Sequence, residues 1–67
     1  MNKVRINTGR VKSAMAAKGL DRQAVAEKIG TSRSSFEKIL REGQCAAFMM
    51  GKIAGALGVP VWELVGA

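Results

Sequence analysis

Sixty-seven residues, 48% of them hydrophobic but only three aromatic, allow one small domain whose core is built from aliphatic and methionine side chains. No apolar run approaches the roughly 18 residues of a membrane span, nothing reads as a secretion signal, and a chain with no histidine and one cysteine, Cys45, holds neither an internal disulfide nor a zinc site, which fits a reducing cytoplasm. The net charge of +6 lies entirely in residues 1–42, with ten bases against four acids, while residues 43–67 balance Lys52 against Glu63; a front half that binds a polyanion and a neutral half that packs or pairs is the reading.

Residues 1–7, MNKVRIN, are expected to form a basic arm or lead-in. Asn7 or Thr8 can cap a first helix over about 8–18, ended by Gly19. Val11, Ala14, Met15 and the stem of Lys18 are spaced along its inward face. Leu20 enters the core, and Asp21 caps a second helix over about 22–29, with Val25, Ala26 and Ile29 buried and Gln23, Glu27 and Lys28 in water. Gly30 stops that helix and permits the positive φ of a tight turn. Thr31 or Ser32 caps a third helix over about 33–42, with Phe36, Ile39 and Leu40 inward and Gly43 at its end.

A fourth helix over about 46–57 carries Ala47, Met50, Ile53, Ala54 and Leu57. Gly58 breaks it, and Pro60 opens a final short turn or helix, PVWELV, packed through Val61, Leu64 and Val65. No strand pattern competes. The spacing predicts an all-α, compact five-helix chain forming a single domain over residues 1–67.

Residues 20–43 read as two short amphipathic helices joined by a tight turn, with basic and hydroxyl side chains opening the second. That is the layout of a helix-turn-helix whose second helix enters the major groove, with the motif over about 21–42. The residues Gly19-Leu20, Ala26-Glu27-Lys28-Ile29-Gly30, Ser32-Arg33-Ser34-Ser35, Ile39, Arg41, Gly43, Ile53-Ala54 and Ala56-Leu57-Gly58-Val59 carry a resemblance over nearly the whole chain. In this register the chain resembles the lambda-repressor/Cro-like (XRE-type) helix-turn-helix family, of the small phage Cro or repressor type. The resemblance implies a five-helix DNA-binding domain acting as a dimer.

Three departures from the family pattern matter. Arg22 stands where the family usually has a phosphate-contacting glutamine. Met15 and Leu40 occupy positions where many members pair an arginine with a glutamate, and joint apolar replacement predicts that the two meet. The segment REGQCAAF lacks the usual asparagine-proline, so backbone contacts do not carry over to it.

On the third helix, Arg33, Ser34 and Lys38 are the candidate base readers, since arginine and lysine donate to guanine O6 and N7 and serine is permissive. Glu37 lies between them and can accept from a cytosine amine or orient Arg33 or Lys38. Arg22, Gln23, Ser32, Ser35 and Arg41 are the candidate phosphate contacts. Lys3 and Arg5 can reach a groove as an arm; Arg10 and Lys12 are as readily solvated surface. Phe48, Met49 and Trp62 are candidate dimer or partner contacts, against the plainer reading of a short helix buried on most sides.

The expected function is a sequence-specific transcriptional regulator on double-stranded DNA, cytoplasmic and nucleoid-associated, dimeric at least on a pseudo-palindromic operator, with no cofactor, no metal and no membrane. The alternative is a protein-binding anti-repressor or antitoxin that sequesters another regulator through Phe48, Met49 and Trp62. An enzyme is not expected: there is no histidine, no phosphate-binding glycine loop and no acid pair placed for general acid–base work.

Overall fold

Three of the four α-helices begin on a side-chain cap, and all four end on a glycine, signals that are legible in the chain. A computed structural model describes residues 2–66. Helix α1, Thr8–Lys18, is capped by Asn7, whose side-chain oxygen accepts from the Arg10 amide at 3.1 Å. Asp21 caps α2, Arg22–Ile29, by accepting from the Ala24 amide at 2.8 Å. Ser32 caps α3, Arg33–Glu42, by accepting from the Ser35 amide at 3.1 Å. Helix α4, Ala47–Leu57, starts from Ala46 without a side-chain cap. All four helices end at a left-handed glycine: Gly19, Gly30, Gly43 and Gly58.

The all-α, five-helix expectation is overturned at both ends of the chain. Lys3–Arg5 is a strand, β1, paired antiparallel with a second strand, β2, Gln44–Ala46; Val4 faces Cys45 in the register. Of the basic arm expected over residues 1–7, residues 3–7 are therefore part of the folded body, and Met1 lies outside the described residues. The physical reason lies in its alternation: Lys3 and Arg5 point to water while Val4 is half-buried and Ile6 fully buried, a period of two rather than 3.6. The run is too short to announce itself without its partner strand.

The fifth helix is a single 3-10 turn over Val61–Leu64, entered from Pro60. Beyond it the chain returns to the first strand. Ile6 bridges Val65, the Asn7 amide donates to the Leu64 carbonyl at 2.7 Å, and the Gly66 amide donates to the Arg5 carbonyl at 2.9 Å. The Ile6 amide donates to the Gly43 carbonyl at 3.0 Å, so residues 3–7 lie between β2 and the chain end.

Phe36, Ile53, Leu57, Leu64, Val11 and Val25 form the fully buried centre, with α2 packed on both α3 and α4. Met15 and Leu40, expected to meet, both enter this core. Ala47, Val61 and Val65 do not: all three are exposed, as is Lys18. The radius of gyration is 10.4 Å, close to the roughly 11 Å expected of a compact chain of this length. Among the described residues no helix is long and apolar enough to cross a membrane.

Candidate nucleic-acid interface

The turn between α2 and α3 is three residues, Gly30-Thr31-Ser32. Gly30 has φ +74°, a conformation in which a Cβ would be strained, and its amide and that of Thr31 close the end of α2 on Glu27 and Ala26. The next residue, Ser32, already caps α3. Phe36, fully buried, and Leu40 then pin one side of α3 onto the core.

Pinning that side decides which side faces out. At about 100° per residue, Arg33, Glu37, Arg41, Ser34 and Lys38 form one continuous stripe about 140° wide, which starts with Arg33 beside Leu40 and ends with Lys38 on the side away from Phe36 and Leu40. Arg33, Ser34, Lys38 and Arg41 are exposed and Glu37 is partly covered. The structure thus places the three candidate base readers together on the free face of a rigidly held helix. The amides of Arg33 and Ser34 belong to the helix's first turn, where intrahelical acceptors are missing and the dipole favours an anion.

Glu37 organises the cations around it. The Arg33 Nε donates to the Glu37 Oε2 at 3.2 Å, and the Arg22 guanidinium, arriving from the start of α2, lies 3.5 Å from the same oxygen. Bonding through Nε uses the side of the Arg33 guanidinium and leaves its end-on pair of terminal N–H groups available. Ser34, Lys38 and Arg41 make no side-chain hydrogen bond or ion pair among the described residues.

The remaining phosphate candidates divide. Arg22 and Arg41 share an open cleft of about 300 Å³ with Lys12, Glu37 and Leu40. Lys12, which spacing left undecided, comes from α1 and reaches this cleft only because the helices pack as they do. Gln23 donates to Glu27 at 3.1 Å, within its own helix, and Ser32 and Ser35 bond to each other at 2.9 Å between their hydroxyls. These three are engaged in local structure, though all three residues are exposed. The other ion pairs, Lys3 with Glu42 at 3.7 Å and Arg10 with Glu63 at 3.5 Å, tie the two ends of the chain to the body. Lys3 and Arg5 sit on β1 and not on a free arm.

A second, apolar surface lies around α4 and the chain ends. Trp62 is 71% exposed and Phe48 61%, with the Lys52 ammonium 5.7 Å from the Phe48 ring centre. Met49 is half-buried against the core. A groove of about 420 Å³ runs between Val4, Ala47, Met50, Val61 and Val65, and neither Phe48, Met49 nor Trp62 lines it. Sequence spacing expected Val61 and Val65 to pack inward, whereas both are exposed and line this groove. No protein-family profile matches the chain, and no curated protein matches it either.

Proposed function

We propose that this chain is a sequence-specific DNA-binding transcriptional regulator that sets α3 into the major groove of a pseudo-palindromic operator. The observation that carries the reading is the outward stripe of α3: Arg33, Ser34 and Lys38 on the free face of a helix held from behind by Phe36 and Leu40. Arg33 and Lys38 donate to guanine edges, and Ser34 serves either base type. Lys12, Arg22 and Arg41 take the flanking phosphates and supply salt-dependent affinity. The resemblance of residues 19–59 to lambda-repressor/Cro-like proteins supports the same roles. Two copies related by a two-fold axis would place their α3 helices about 34 Å apart, one turn of DNA. Occupying a promoter that polymerase or a rival regulator needs is then sufficient for control.

The test is selection of bound sequences from a random duplex pool at about 150 mM salt, where exposed charges are screened beyond roughly 8 Å. A palindromic consensus is expected, with Arg33→Ala and Lys38→Ala each losing preference at one base pair per half-site, about 1–3 kcal/mol apiece. Recovery of random sequence by the wild-type protein would sink the reading.

The exposed Phe48 and Trp62 and the apolar groove beside them favour a second reading, in which the chain binds another regulator as an anti-repressor or antitoxin. Under it, Phe48→Ser and Trp62→Ser abolish partner binding while Arg33→Ala does not.

A further inference from the structure

We infer that Glu37 is a positioning residue that couples phosphate engagement to base reading. The inference rests on the DNA-binding reading above. One carboxylate oxygen of Glu37 serves two arginines that the proposed complex uses differently: Arg33, at the start of α3, for a base edge, and Arg22, at the start of α2, for the backbone. The Arg33 contact is a hydrogen bond through Nε at 3.2 Å; the Arg22 contact is a looser approach at 3.5 Å. Glu37 is the acid of the α3 stripe; it bridges Arg33 and Arg22 and lines the same cleft as Lys12 and Arg41.

Three consequences follow from that placement. In the free protein Glu37 offsets part of the charge of Arg22, and its own negative charge repels phosphates, so binding to arbitrary sequence is weakened. When a backbone phosphate reaches the cleft formed with Lys12 and Arg41, it competes for Arg22 and leaves Glu37 to Arg33 alone. The Arg33 fork is then held by its Nε, with its two terminal nitrogens presented to guanine O6 and N7, the bidentate geometry that discriminates bases. A duplex with no guanine at that step gains the phosphate contact but leaves the held guanidinium unmatched. Glu37 therefore lowers affinity for all DNA and raises the ratio between correct and incorrect sequence.

The experiment compares wild type, Glu37→Gln and Arg22→Gln on the wild-type selected duplex and on random duplex across a salt series. The Arg33 Nε–H resonance of the free proteins is followed by 15N NMR, and urea midpoints check folding. Glu37→Gln is expected to bind random duplex more tightly and to lose about tenfold in the ratio of selected to random affinity, the size of one coupled side-chain contact. Its Arg33 Nε–H is expected to exchange faster with water. Arg22→Gln is expected to weaken both duplexes alike and to keep the slow Arg33 Nε–H. In an Arg33→Ala background, Glu37→Gln is expected to leave the remaining base preference unchanged.

An unchanged ratio in Glu37→Gln, or an equal change in that ratio with Arg33 absent, would overturn the role of Glu37 while leaving DNA reading intact. A wild-type protein without preference for any duplex would overturn both. Unequal weakening of the two duplexes by Arg22→Gln would also count against the division of labour between the two arginines.

Discussion

Cys45 shows how one side chain reports on the core. It sits on β2, 3% exposed, opposite Val4. Burial pushes its thiol pKa above the ordinary 9.0, and the nearby Lys3 ammonium opposes this in part. Because the folded-state pKa is raised, the native chain keeps a proton that the unfolded chain has released between the two values. The associated stability is present below the unfolded pKa and is lost as pH rises through the folded one. Urea midpoints of wild type are therefore expected to fall more steeply above about pH 9 than those of Cys45→Ala, with alkylation of the native thiol slower than that of a free cysteine. Parallel pH curves for the two proteins would contradict this account. The sequence leaves Cys45 as a small buried or loop residue; its pairing with Val4 on β1 makes it a buried one.

At the scale of elements, helices and strands were not equally legible. Asn7, Asp21 and Ser32 with Gly19, Gly30 and Gly43 mark helix ends through bonds spanning three or four residues, so α1, α2 and α3 fall where the sequence places them. Strands β1 and β2 are three residues each and pair across opposite halves of the chain, leaving no local signal strong enough to oppose a helical reading. The consequence is testable. Removing residues 2–5 takes away β1, its ladder to β2 and the half-buried Val4, and is expected to cost about 1–3 kcal/mol. Set against a stability of about 3–10 kcal/mol for a chain of this length, that is a large fraction. The Lys3–Glu42 pair, exposed on both sides, contributes little to it. A truncated chain with an unchanged urea midpoint would show that residues 2–5 are the dispensable arm after all.

Across the whole molecule, charge is segregated and the proposed function uses that segregation. One cation from each of α1, α2 and α3, namely Lys12, Arg22 and Arg41, converge on one cleft, while the exposed apolar residues Phe48, Val61, Trp62 and Val65 belong to α4 and the segment after it. If DNA is the partner, the logarithm of affinity falls linearly with the logarithm of salt, and each of Lys12→Ala, Arg22→Ala and Arg41→Ala reduces the slope by about 1. Ser34→Ala, which removes no charge, is expected to leave the slope as it is; a change there would assign the salt dependence elsewhere.

By itself the sequence determined what local chemistry decides: four helix cores, the side-chain caps of α1, α2 and α3, the glycine turn before α3, and the face of α3 left free once Phe36 and Leu40 are inward. Only tertiary structure decided the rest. Strand pairing drew both chain ends into the body, packing brought Lys12 beside Arg22 and Arg41, and the approach of α2 to α3 gave Glu37 two arginines instead of one. Those relations join residues far apart in the chain, and the free energy that sets them is shared over the whole core, so no short window of residues contains it.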